Sequence, residues 1–164
     1  MKYVIIGKIV NTHGLKGEVR ILSDFPYKDK VFKENMNYYI GENKEKHKSI
    51  RYRHHKIFEM LTFEDIDDID KALLYKGKYI FVNKEDVQLD KNQYLDEDII
   101  NLKVYISSKE VGRVKKIVRY NKNNLLLVTN KEKDFYIPYN FDIIKKVCLE
   151  EGYLQVDNIG GLVE

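Results

Sequence analysis

Short runs of β-branched and aromatic residues, separated by turn residues, dominate the sequence and limit its fold more than any other feature. In residues 15–22, Val19 and Ile21 alternate with Glu18 and Arg20, which is the period-two pattern of a half-buried strand. Neither half of the sequence alternates strands with long helices, as a doubly wound sheet or a TIM barrel would. Short strands at this close spacing favour small barrels or sandwiches.

The predicted strands fall into two sets. The first set comprises about five or six strands, with clear patterns at residues 3–10, 15–22, 50–53, 57–62 and 79–82. The second set lies at residues 102–106, 112–118, 125–129, 135–138, 147–149 and 154–156. The stretch between them is polar and rich in turn residues. We therefore predict an all-β protein of two small β-barrels, with domains at 1–86 and 98–164 and a linker at 87–97.

One short helix is predicted in the N-terminal half. Residues 62–65, Thr-Phe-Glu-Asp, have the form of a capping box, and carboxylates crowd the positions that follow. Ile66, Ile69 and Leu73 would share one face of this helix. Gly77 is expected to end it as a C-cap.

The composition excludes several classes of protein. With 43% hydrophobic residues among 164, the chain can bury two small cores and is not a disordered chain. No window approaches the roughly 18 to 20 apolar residues of a spanning helix, and charges come too early for a secretory signal. The single Cys148 fits a reducing compartment. We expect a cytoplasmic protein and, without heptads or a long apolar edge, a monomer.

The sequence predicts no catalytic, cofactor or metal site. The histidines lack the spacing of a metal-ligand set, and Cys148 has no histidine in its half. The carboxylates of residues 65–70 resemble a calcium loop only superficially, because the sixth position lacks Gly and Lys76 occupies the twelfth. We therefore expect a protein that needs no cofactor and no metal.

Residues 51–56, Arg-Tyr-Arg-His-His-Lys, are the strongest candidates for contact with nucleic acid. Guanidinium and ammonium groups pair with phosphates, and aromatic rings stack on unpaired bases. The candidate RNA-proximal residues are Arg51, Arg53, His54, His55 and Lys56. A solvated strand face with Tyr52 packed inward would show the same pattern, so both interpretations stay open. The formal net charge of +3 lies entirely in residues 1–88, since residues 89–164 are neutral.

The glycine-rich residues 7–20, Gly-Lys-Ile-Val-Asn-Thr-His-Gly-Leu-Lys-Gly-Glu-Val-Arg, are the most distinctive segment. They do not form a P-loop, which needs Gly-Lys-Ser or Gly-Lys-Thr at the start of a helix. Gly14 and Gly17 instead predict a tight connection between two strands with positive φ angles.

This segment closely resembles the opening signature of the RimM family, bacterial factors for maturation of the small ribosomal subunit. The signature positions are Gly7, His13, Gly14, Gly17 and Arg20. Weaker similarity follows in chain order at residues 71–82, 112–114, 125–128, 137–138 and 161–162. The resemblance therefore covers nearly the whole chain.

The resemblance implies an N-terminal six-stranded barrel like those of translation factors, followed by a PRC barrel. It also implies a non-enzymatic factor that binds small-subunit ribosomal protein nineteen. Such a factor associates with the immature small ribosomal subunit and assists assembly of its head and processing of its rRNA. A general RNA- or ribosome-binding adaptor with a different protein partner is the alternative. A small-molecule enzyme that uses His13 is disfavoured, because the sequence offers it no paired base or nucleophile.

In the same family, a Tyr-Tyr pair at the start of the PRC barrel contributes to partner binding. The corresponding residues here are Tyr94 and Leu95, so one ring is absent. Asp98 lies in the same segment and is a third candidate contact. Asn101 stands where the family has a glycine.

Overall fold

The computed structural model describes residues 1–157 and divides the chain into two compact units, Met1–Leu89 and Asp90–Glu164. The similarity at residues 161–162 and the end of the predicted second domain, 158–164, lie outside the described residues. Strands dominate both units and the helices are short, so the predicted all-β fold class is confirmed. Among residues 1–157, no helix is both long and apolar enough to cross a bilayer.

The first unit is a closed barrel of six antiparallel strands. Its strands are β1 (Tyr3–His13), β2 (Glu18–Leu22), β3 (Asn37–Ile40), β4 (Glu45–His55), β5 (Phe58–Phe63) and β6 (Tyr79–Asn83). They pair in the order β1-β2-β5-β4-β3-β6, and β6 closes the barrel on β1. Closure gives every strand a neighbour on both sides, so residues 1–89 contain no edge strand of this sheet.

Strand alternation builds the core of this barrel. Val19 and Ile21 on β2 are fully buried, whereas Glu18 and Arg20, which alternate with them, are only partly buried, as predicted. Strand β3 was not among the predicted ranges, because three of its four residues are buried in succession and the alternation is lost. Its Tyr38 is fully buried and donates its hydroxyl hydrogen to a backbone carbonyl at 2.7 Å, which satisfies the one polar atom of the side chain.

The predicted helix start at residues 62–65 is wrong. Strand β5 continues to Phe63, and Thr62 pairs with Arg51 in the ladder, so Thr62 is not available to cap a helix. Ile66, expected on the helix face, is buried ahead of the helix and forms an isolated bridge with Phe63.

Helix α2 (Ile69–Leu73) begins instead after Asp68, whose carboxylate accepts a hydrogen bond from the backbone N–H of Lys71 at 2.8 Å. Gly77 does not cap this helix, because a further turn intervenes and its N–H donates to the carbonyl of Ile9 at 2.7 Å. A second helix, α1 (Lys28–Val31), also lies in the N-terminal half; its four residues are too few to show a helical period.

The second unit is a six-stranded sheet around its own core. Its strands are β7 (Lys103–Ile106), β8 (Lys109–Tyr120), β9 (Asn123–Thr129), β10 (Asp134–Pro138), β11 (Ile144–Cys148) and β12 (Tyr153–Val156). Their order is β10-β9-β8-β7-β12-β11, and only β12 and β7 are parallel. The core is almost entirely aliphatic, with Val104, Val114, Leu126 and Leu154 fully buried.

The stretch between the two sets of strands contains local structure. A 3₁₀ turn at Lys84–Asp86 follows β6, and the side chain of Asn83 caps it. Helix α3 (Asp96–Ile99) precedes β7. The two units divide between Leu89 and Asp90, and α3 belongs to the second of them.

Gly14 and Gly17 form the predicted positive-φ turn between β1 and β2, with φ angles of +72° and +93°. Their surroundings differ. A Cβ atom at Gly17 would collide with the backbone carbonyl of Ile66, whereas a Cβ at Gly14 would meet nothing within 4 Å. The turn at Gly17 is therefore packed against the segment that leads into α2.

We expect Gly17→Ala to lower the free energy of unfolding by about 2–4 kcal/mol, because a backbone clash adds to the strain of a positive φ. Gly14→Ala should lower it by only about 1 kcal/mol, since strain acts alone there. Urea unfolding of the two variants measures both losses. Equal losses would contradict the packing described for Gly17.

Candidate nucleic-acid interface

Basic side chains from three strands share the outer face of the first barrel. They are His13 on β1, Arg20 on β2, and Arg51, Arg53 and His55 on β4, and we call this set the basic face. Strand β5 aligns β2 with β4, because Met60 pairs with Arg20 on one side and with Arg53 on the other. Side chains at paired positions point to the same side of a sheet, so cations from separate strands are brought together.

Glu18 on β2 neutralises one member of the basic face. Its two carboxylate oxygens accept hydrogen bonds from Nε and Nη2 of Arg53 at 2.9 and 2.7 Å, a bidentate geometry. The hydrogen bond from Arg53 holds the pKa of Glu18 below its ordinary value, against the opposing effect of partial burial.

Arg51 is exposed and forms no ion pair within residues 1–157. It lines an open groove of about 780 Å³ beside the β1–β2 turn. Of the three carboxylates that line this groove, Glu18 binds Arg53 and Asp67 binds Lys71 at 2.7 Å, whereas Glu64 is exposed. Arg51 contributes to lowering the pKa of Glu18 but forms no ion pair there, so an external anion can reach its exposed guanidinium.

Tyr52 and His54 point away from the basic face toward a buried carboxylate. Glu59 on β5 is 2% exposed; its Oε1 accepts the hydroxyl hydrogen of Tyr52 at 2.6 Å, and its Oε2 lies 2.7 Å from Nδ1 of His54. Burial, followed by this hydrogen bond, raises the pKa of Tyr52. Lys56 is exposed in the β4–β5 turn, with a φ of +57°. Only the odd-numbered residues of the segment 51–56 therefore belong to the basic face.

The signature residues of the first unit divide into two kinds. Gly7, like Gly14 and Gly17, shapes the backbone, since a Cβ at Gly7 would lie 2.6 Å from the carbonyl oxygen of Leu22. His13 and Arg20 instead present their side chains on the basic face. The alternation in residues 15–22 places Arg20 on the outer side of β2, but no local pattern in the sequence connects His13 and Arg20 with β4.

The remaining histidine, His47, belongs to the structure of the barrel wall. It is 7% exposed, and its Nδ1 lies 2.8 Å from a carboxylate oxygen of Asp65. Its ring packs edge-on against Tyr75, with the ring centroids 5.0 Å apart. Within residues 1–157, no three His, Cys, Asp or Glu side chains are grouped so that they could hold a metal ion.

The candidate partner-binding residues lie at the start of the second unit. Leu95 is 5% exposed and belongs to the core, whereas Tyr94 is half-buried and stacks on Phe141 with the ring centroids 6.0 Å apart. Asp98 is half-buried on α3. Tyr94 and Asp98 therefore retain exposed atoms, while Leu95 packs beneath them.

Helix α3 is fixed to β8 by a bidentate ion pair. Nη1 and Nη2 of Arg119 donate to the two carboxylate oxygens of Asp96 at 2.6 and 2.7 Å. Asn101, which follows the helix, has a φ of +74°. Asparagine tolerates this left-handed conformation better than most residues, which explains how it can stand where the family has a glycine.

The fold and the basic face define a class of protein: a two-unit, all-β protein whose first barrel presents a cationic sheet face beside a glycine turn. Comparison with protein families identifies both units. The RimM N-terminal domain matches residues 4–87, and the RimM PRC barrel domain matches residues 96–162. The chain belongs to the RimM family, as the sequence resemblance indicated.

Several relatives match the chain from end to end. The ribosome maturation factor RimM of Finegoldia magna is 32% identical over 99% of this chain and 100% of its own. That of Staphylococcus haemolyticus is 34% identical over 98% of this chain and 99% of its own. A solved structure, the N-terminal domain of RimM from Thermus thermophilus, is 17% identical with a TM-score of 0.46; the match covers 54% of this chain and 98% of that one.

The pair between Glu18 and Arg53 predicts a pH effect. Because the pKa of Glu18 is lower in the folded than in the unfolded chain, the pair stabilises the fold above the ordinary pKa, and this contribution is lost as the pH falls through the lowered value. We expect Arg53→Gln to raise the pKa of Glu18 toward 4.5, as followed by carboxyl ¹³C NMR. Lys46→Gln, an equal charge change at the far end of β4, should leave it unchanged. An unaltered Glu18 titration in Arg53→Gln would refute the pairing.

Proposed function

We propose that this protein is a cytoplasmic ribosome maturation factor that binds small-subunit ribosomal protein nineteen, and that it assists assembly of the small-subunit head and processing of its rRNA. The match of both RimM domain models, in order, to residues 4–87 and 96–162 is the observation that carries this proposal. The full-length relatives bear the name ribosome maturation factor. The proposed role is one of binding and positioning rather than catalysis.

In this proposal, the second unit holds the ribosomal protein. Tyr94 is suited to such a contact, because an aromatic ring that is already held by stacking loses little freedom when a partner covers it. Asp98 adds a carboxylate on the neighbouring helix α3. Leu95 supports the partner contact only indirectly, by packing in the core beneath the start of α3.

The first unit lies near rRNA through the basic face. Guanidinium groups bind phosphate oxygens with paired hydrogen bonds, and cations on neighbouring strands can meet several phosphates in succession. Arg51 supports this role most directly, because its guanidinium is exposed and forms no ion pair within residues 1–157. Lys56 adds an exposed ammonium group in the β4–β5 turn, next to this face.

Two moderate contacts on one chain can act together. Once one unit is bound, the tether raises the effective concentration of the other unit at its own site, so that neither contact needs to be tight. Moderate contacts remain reversible. Reversibility suits a factor that must leave a finished particle.

A general RNA- or ribosome-binding adaptor is the second candidate function, and one observation favours it. The second unit has an open groove of about 800 Å³ whose lining includes five cations and two carboxylates, Glu110 and Glu132, although its half of the sequence is neutral. The cations are Lys103, Lys109, Arg113, Lys131 and Lys133. In such an adaptor, the cations of this groove would bind the phosphates of an RNA backbone.

We expect Tyr94→Ala to weaken binding of ribosomal protein nineteen by about tenfold or more, because the variant removes an aromatic contact from the interface. Isothermal titration calorimetry measures the affinity. Tyr120 on β8 is 69% exposed, and Tyr120→Ala is the matched control that should leave the affinity almost unchanged. A wild-type chain that binds bare rRNA but not the ribosomal protein would favour the adaptor instead.

The pairing of Glu18 with Arg53 predicts unequal roles for the arginines of β4. Arg51→Gln should make the salt dependence of rRNA binding shallower by about one in log–log slope, because one phosphate contact is lost. The double variant Glu18→Gln, Arg53→Gln removes a neutral pair, so its slope should stay near that of the wild type. Filter binding over a range of salt concentrations measures both slopes. A normal slope for Arg51→Gln would show that Arg51 contacts no phosphate and lies on a solvated part of β4.

A further inference from the structure

Arg20 is a partly buried cation for which residues 1–157 provide no anionic partner. Its Nε atom is buried and has no hydrogen-bond partner. Arg53 in the same row of the sheet differs, because its guanidinium is bound by Glu18. A partly desolvated and unpaired charge is unfavourable, so this position gains more than a fully solvated one when an anion binds.

Two aromatic rings hold the guanidinium of Arg20 in place. Its central carbon lies 5.5 Å from the centroid of the Phe58 ring, and its Nη2 lies 2.6 Å from Nδ1 of His13. Since a guanidinium only donates hydrogen bonds, Nδ1 of His13 is the acceptor and the ring proton is on Nε2. With Nδ1 engaged in this way, Nε2–H of His13 is a second donor beside Arg20.

His55 and Lys56 extend this group at the end of β4. The rings of His55 and His13 lie 6.1 Å apart, and Lys56 follows in the exposed turn. Partial desolvation lowers the pKa of His55, and the charges of Arg53 and Lys56 lower it further. Cations therefore outweigh carboxylates around this ring.

From this arrangement we propose that His13, Arg20, His55 and Lys56 form a binding site for one phosphate group, which we call the phosphate site. All four side chains offer N–H donors or positive charge, and a phosphate supplies only acceptor oxygens. Inorganic phosphate and the phosphodiester of an RNA backbone share this chemistry. The assignment of the bound phosphate to RNA rests on the proposed function. The phosphate site itself is inferred from its donor groups and does not depend on that function.

The test follows the imidazole nitrogens of the full-length chain by NMR while inorganic phosphate or a short single-stranded RNA is added. In the free protein, His13 should show the spectrum of the Nε2–H tautomer. Both ligands should then shift the signals of His13 and His55. The buried His47, which is engaged by Asp65, is the internal control and should not respond.

Variants of Arg20 give an independent readout. Arg20→Gln should lower RNA affinity about tenfold and make the salt slope shallower by about one. Arg20→Lys keeps the charge but not the planar fork, so it should give a smaller loss; it also provides a readout if Arg20→Gln fails to fold. The matched control, Lys46→Gln, removes one charge roughly 30 Å from His55 along β4 and should have little effect.

The outcomes separate the phosphate site from the proposed function. The phosphate site would be overturned if Arg20→Gln and Lys46→Gln lost RNA affinity equally. It would also be overturned if RNA bound without shifting the signals of His13 and His55. RNA binding by the rest of the basic face would then still stand. Shifts of both rings with inorganic phosphate in a chain that binds no RNA would support the phosphate site and overturn the RNA part of the proposed function.

Discussion

The hydrogen-bonded alignment of β1, β2, β5 and β4 is the constraint on which the first unit depends. Because the barrel is closed, none of these strands can slip by one residue without turning its buried side outward. This alignment brings Arg20, Met60 and Arg53 into one row and places Glu18 within reach of Arg53. The basic face is therefore held in place by the buried side chains of the same strands.

The fold class could be predicted from the sequence because strand alternation is a local property. Val19 and Ile21 mark the inner side of β2 without any knowledge of its neighbours. The helix start could not be predicted in this way. Thr62 and Asp68 both offer a capping oxygen, and only the pairing of Thr62 with Arg51 in the ladder decides between them. That pairing joins residues that are distant in the chain.

The candidate site could likewise be predicted only as far as local sequence patterns reach. The segment 51–56 was identified from its composition, but its contacts depend on the register of β4 with β5. That register directs His54 to Glu59, a single carboxylate in the apolar run Phe-Glu-Met-Leu. Leu95 shows the same limit in the second unit, since the family pattern marks the position but only the three-dimensional packing shows that its side chain is buried.

The hydrogen bond between Tyr52 and Glu59 also has an evolutionary consequence. A change at Tyr52 alone leaves the nearly inaccessible carboxylate of Glu59 with one donor fewer, and an unsatisfied buried group typically costs about 1–3 kcal/mol, more when it is charged. Replacing both residues by apolar ones of similar volume avoids most of that loss. The two positions should therefore change together among descendants of this sequence, as one heritable unit of the barrel wall.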